Sequence, residues 1–95
     1  MMEVKIRAYD EFIHYGQIVS SDELPKKWIT KAVNKTATLN NTKFTIRQVC
    51  KLRNGYEYII RADKNVNKGE FPTMEEILED YPSIPCPMDY SIEYL

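Results

Sequence analysis

Apolar and polar residues alternate along residues 3–9, with Val4, Ile6 and Ala8 on one side and Glu3, Lys5 and Arg7 on the other. A period of two sends successive side chains to opposite faces of a strand, so this segment predicts a strand with one buried face. Asp10-Glu11 reads as a turn, and residues 12–19 as a second apolar stretch with Gly16 as a bulge; together they predict an N-terminal hairpin. The pattern then changes. Ser20-Ser21-Asp22 supplies side-chain oxygens suited to capping a helix start, and Pro25 falls in the first turn, where its missing donor is not needed. Leu24, Trp28, Ile29, Ala32 and Val33 share one side of a helix over residues 22–34, with Trp28 as its core anchor, and Lys26, Lys27, Thr30 and Lys31 share the other.

Asn40-Asn41 marks the next turn, and residues 42–63 then predict a hairpin around Asn54-Gly55. Asn-Gly suits a type I′ turn because both residues tolerate positive φ. With those two as the loop, Arg53 faces Tyr56, Lys51 faces Tyr58, Val49 faces Ile60 and Arg47 faces Ala62. Phe44, Ile46, Cys50 and Leu52 with Ile59 then form the core side.

Thr73 followed by Glu76 is a capping box, and Met74, Ile77, Leu78 and Tyr81 recur at helical spacing. Glu75, Glu76, Glu79 and Asp80 occupy the opposite side, and Pro82 ends the helix. Pro85 and Pro87 keep the next stretch extended, and Tyr90, Ile92 and Tyr94 alternate as a last strand. The expected architecture is a single α+β domain over residues 1–95, with an antiparallel sheet of four to five strands and two short amphipathic helices.

Composition adds a compartment and an origin. With 43% hydrophobic and 28% charged residues and a net charge of −1, the chain is ordinary for a globular domain, and no apolar run approaches a membrane span. No basic-then-apolar leader is visible, so Cys50 and Cys86 are expected as free thiols in the cytoplasm. Ile, Lys, Asn, Tyr and Glu abound while Ala occurs only four times, a bias that points to an AT-rich genome such as that of a low-GC bacterium or its phage. Val4-Lys5-Ile6-Arg7-Ala8-Tyr9-Asp10 resembles the opening of small bacteriophage proteins of the YopX type. The resemblance implies a phage or prophage product in a bacterial host cell and carries no functional residues with it.

Candidate chemistry is sparse. His14, Cys50 and Cys86 are too few and too dispersed for a Cys/His metal site, no phosphate-cradling glycine loop is present, and neither metal nor cofactor is expected. A cysteine nucleophile activated by His14 requires both in one cleft, and the expected protein is not an enzyme. Charge placement says more. Residues 26–68 hold eleven Lys or Arg against Glu57 and Asp63, a balance of +9, whereas residues 70–95 hold seven acids and no base, a balance of −7. Such blocks either pair with each other or face charged partners.

Two functions follow. In the first, Glu75, Glu76, Glu79 and Asp80 meet a basic groove on a host protein, such as a nucleic-acid-binding enzyme. The protein is then a phage-encoded inhibitor or modulator, with an anti-defence or anti-CRISPR-like role. The second is binding of single-stranded nucleic acid through Arg47, Lys51, Arg53, Tyr56 and Tyr58, where cations meet phosphates and rings stack on bases. Cross-strand cation–ring pairs that merely stabilise the hairpin have the same composition.

Overall fold

The computed structural model describes residues 1–14 and 32–95. Strand β1 (Met2–Tyr9) is followed by a 3-10 turn and the two-residue β2 (Ile13–His14); then come β3 (Ala32–Leu39), β4 (Thr42–Leu52), β5 (Gly55–Ala62), the helix α1 (Met74–Ile77), the two-residue β6 (Cys86–Pro87) and β7 (Ser91–Tyr94). Five strands form one antiparallel sheet in the order β3-β4-β5-β1-β7, while β2 pairs with β6 separately.

The first strand forms as its alternation predicts, with Val4, Ile6 and Ala8 at most 2% exposed. Its partners are different from those expected. β1 lies between β5 and β7, and Ile13–His14 pairs with Cys86–Pro87, so residues 13–14 make no hairpin with β1. Gly16 and the rest of that predicted stretch lie outside the described residues, as do Trp28 and residues 22–31 of the first predicted helix. Its last positions, residues 32–34, belong to β3. There β-branched Val33, Thr36 and Thr38 suit the pleated backbone, and β4 supplies the hydrogen-bonding partner. Asn40 and Asn41 turn the chain into β4 with φ of 51° and 62°, the doubly left-handed backbone of a type I′ hairpin.

The second hairpin forms around a different loop. Leu52 pairs with Gly55, Lys51 with Tyr56 and Val49 with Tyr58, so the loop is Arg53-Asn54, and neither residue has positive φ. Between Ile46 and Gln48 the register shifts: β4 carries one residue more than β5. This bulge at Arg47 reverses the side-chain alternation, so that Ile46 and Val49, three apart in sequence, both face inward. Tyr56, Tyr58, Ile60 and Ala62 are opposite Ala8, Ile6, Val4 and Met2, and together they make the core face. The hairpin side expected to carry Arg47, Lys51, Tyr56 and Tyr58 outward is therefore the buried one at its aromatic positions.

Helix α1 covers that face. Thr73 and Glu76 form the predicted capping box, each backbone N–H donating to the other's side chain at 3.2 and 3.3 Å. Met74, Ile77, Leu78 and Ile84 are buried against the sheet. The helix runs for four residues only, because Leu78 already leaves helical geometry (φ −95°, ψ 7°) and Pro82 disfavours a helical Tyr81. Among the described residues, then, the protein is an antiparallel sheet with one short helix. These residues do not form the α+β arrangement with two amphipathic helices that the sequence pattern suggests.

Candidate partner-binding surface

Helix α1 and the turns after it carry Glu75, Glu76, Glu79 and Asp80, all exposed. Their backbone is held firmly despite the short helix. Met74 and Ile77 are fully buried, the Tyr90 hydroxyl accepts from the Met74 N–H at 3.1 Å, and the Leu78 and Tyr81 carbonyls accept from the backbone N–H groups of Tyr81 and Ile84. From the far side, the Tyr81 hydroxyl donates to the Thr36 carbonyl of β3, and Lys35 Nζ sits 5.9 Å from the Tyr81 ring centroid. Glu76 is committed to the cap, so its carboxylate serves the helix start as well as the surface.

The basic residues find their partners elsewhere. Arg7 pairs with Glu57 at 2.8 Å and Lys51 with Asp10 at 2.9 Å, and Arg61 and Arg47 share Glu3 at 3.5 and 3.7 Å. These acids stand on β1, on β5 and on the turn after β1. Among the described residues, Glu75, Glu79 and Asp80 enter no ion pair. The two opposite charge blocks seen in the sequence therefore do not neutralise each other through direct contacts between described residues.

Beside the acids lies a recess. A cavity of about 550 Å³ opens between α1 and the chain returning through Pro82 to Cys86, with Leu78 and Ile84 in its lining and Glu75, Glu76 and Glu79 around it. A neighbouring recess of about 470 Å³ shares Thr73, Glu75 and Cys86 and is lined further by Met74, Pro87, Met88 and Tyr90. Cys86 stands where the two meet. Burial pushes its thiol up to about 11, and the negative charge of Glu75 adds to the effect. A thiol nucleophile must be a thiolate, so this environment works against catalysis at neutral pH.

Alkylation of Cys86 by iodoacetamide, followed by mass spectrometry in a Cys50→Ser background, should therefore be slow at pH 7–8. It should accelerate with an inflection near pH 11, well above the ordinary thiol value. Glu75→Gln should move the inflection down and raise the rate at fixed pH. An inflection at or below 9, the ordinary value, would contradict the buried, anion-flanked placement.

The alternative site residues are not brought together. Tyr56 and Tyr58 are 1% and 0% exposed, and the Tyr58 hydroxyl donates to the Pro85 carbonyl at 2.6 Å, so neither ring is open to a base. Lys51 Nζ lies 4.6 Å from the Tyr56 ring centroid while bonded to Asp10, Arg47 reaches Glu3 on the other sheet face, and Arg53 is exposed at the loop. The cation–ring contact is thus a packing feature. What the sequence reading missed is the bulge at Arg47 and the Tyr81–Thr36 contact.

The chain segments of His14 and Cys86 do come together, for His14 lies opposite Cys86 in the β2–β6 pair. Among the described residues no three His, Cys, Asp or Glu side chains cluster as metal ligands would, and no helix is long and apolar enough to cross a membrane. No protein-family model, curated protein or solved structure matches this chain.

Proposed function

We propose that this protein is a non-enzymatic binding module that presents Glu75, Glu76, Glu79 and Asp80 to the cationic surface of a partner protein. The observation that carries the reading is the separation of charge: Arg47, Lys51 and Arg61 of the hairpin pair with Glu3 of β1 and Asp10 of the turn after it, while Glu75, Glu79 and Asp80 stay exposed and outside those pairs. A rigid array of carboxylates suits a surface built for phosphates, because complementary charge accelerates encounter and disfavours wrong partners. The matching partner is a nucleic-acid-processing host protein, and the resemblance of residues 4–10 to YopX-type phage proteins makes a phage-encoded inhibitor or modulator acting in the bacterial cytoplasm the natural setting.

The test is a charge reversal that spares the cap: Glu75→Lys, Glu79→Lys and Asp80→Lys together, with Glu76 kept. Wild-type protein cross-linked in a bacterial extract should enrich a nucleic-acid-binding protein that duplex DNA displaces. The reversed variant, shown folded by circular dichroism, should lose it. Retention of the same partner by the folded variant would refute the proposal. Direct salt-sensitive binding of labelled oligonucleotides would refute it too, and would move the alternative reading, through the basic residues, to first place.

A further inference from the structure

We infer that the paired recess beside Glu75 is a peptide groove that takes one large apolar side chain from a Lys- or Arg-bearing segment of the partner. This rests on the proposed function, since it assigns that function's acidic surface a specific occupant. Two features define the occupant. The interior is largely apolar, with Leu78, Ile84, Met74 and Pro87 contributing to its lining, so it favours an aliphatic or aromatic group. The border is anionic, with Glu75, Glu76 and Glu79 beside the opening and, among the described residues, no Lys or Arg in the lining of either recess. An apolar group alone would leave those carboxylates unmatched. A cationic segment without an apolar residue would leave the recess unfilled.

The groove is also built in advance. Pro85 is buried, its carbonyl is held by the Tyr58 hydroxyl at 2.6 Å, and Pro82 and Pro87 restrict the backbone on either side. A wall that needs no ordering spends little conformational entropy on binding, so a single anchor residue suffices to give specificity.

The probes are two synthetic peptides, acetyl-Lys-Arg-Trp-Arg-Lys-amide and the same peptide with glycine in place of tryptophan, titrated at low salt by calorimetry. The tryptophan peptide should bind at least about tenfold more tightly, as burial of one aromatic anchor requires. Cys86→Phe, which fills the junction of the two recesses, should erase that difference, while Cys86→Ser should keep it. A second measurement needs no filling variant: the tryptophan peptide should protect Cys86 from iodoacetamide in the Cys50→Ser background, and the glycine peptide should not. Equal affinity of the two peptides, with no protection, would overturn the groove and leave the charge-based function standing. Absence of binding by both peptides would remove the groove and the acidic surface together.

Discussion

Replacing Gly55 with alanine should destabilise the protein severely. A Cβ on Gly55 would fall inside van der Waals contact with the Ala8 carbonyl oxygen and lie 2.9 Å from both the Ala8 carbonyl carbon and Tyr9 Cα. All three are backbone atoms of β1, which cannot step aside as a side chain could. Gly55 is paired with Tyr9 and Leu52 at once, so relief requires the end of β1 to separate from the start of β5. Overpacking typically costs about 1–3 kcal/mol, and with immovable neighbours we expect about 3 kcal/mol or more. For a small domain with a total stability of about 5–15 kcal/mol, that is a large fraction. Urea denaturation should show a lowered midpoint with an unchanged slope. Gly69→Ala is the control, because its added Cβ would meet nothing within 4 Å beyond its own residue and its chain neighbours, and it should stay within about 0.5 kcal/mol of wild type. If the two variants melt alike, the close approach of β1 to Gly55 is wrong.

Tyr58 should behave as a core residue and not as a surface ligand. Its ring is fully buried beside Ile6 and Val49 in the register, and its hydroxyl donates to Pro85. Tyr58→Phe keeps the packing but strips the Pro85 carbonyl of this donor, a loss of about 1–3 kcal/mol for a buried polar group. Tyr58→Ala also opens a cavity and should cost about 3–5 kcal/mol, enough to populate the unfolded state at ambient temperature. Chemical denaturation followed by far-UV circular dichroism measures both. A Tyr58→Ala protein as stable as wild type would mean that the ring lies on the surface, as nucleic-acid stacking demands.

The same residue shows where the sequence was readable and where it was not. β1 was legible because Val4, Ile6 and Ala8 alternate without interruption and each is buried. The Thr73–Glu76 cap was legible because its residues lie within one turn and satisfy each other locally. The 42–63 hairpin was legible as a hairpin, yet its faces were assigned the wrong way at Tyr56 and Tyr58. A usable signal did exist: Tyr56, Tyr58, Ile60 and Ala62 form a more apolar set than Glu57, Ile59 and Arg61. Giving that set to the core requires Ile46 and Val49 to share a face, which only an inserted residue permits. No local composition announces a bulge at Arg47. Gly55 was likewise read as a turn residue, whereas its constraint comes from β1, more than forty residues away in sequence.

By itself the sequence determined the existence and edges of its locally coded elements: the first strand, the Asn40-Asn41 turn, the capped start of α1 and the last strand. It also determined the segregation of charge into a basic middle and an acidic end. Periodicity and capping act between residues a few positions apart, so a single chain displays them directly. Strand order, the insertion of β1 between β5 and β7, the pairing of β2 with β6 and the destination of each charge were decided only in the tertiary structure. Those features depend on which distant segments bury the same face together, and many pairings satisfy one alternating pattern equally well. The fold chose the pairing that puts the tyrosine-bearing side of β5 on the same buried face as Val4 and Ile6 of β1, in one core with Met74 and Ile77 of α1, and it leaves Glu75, Glu79 and Asp80 exposed.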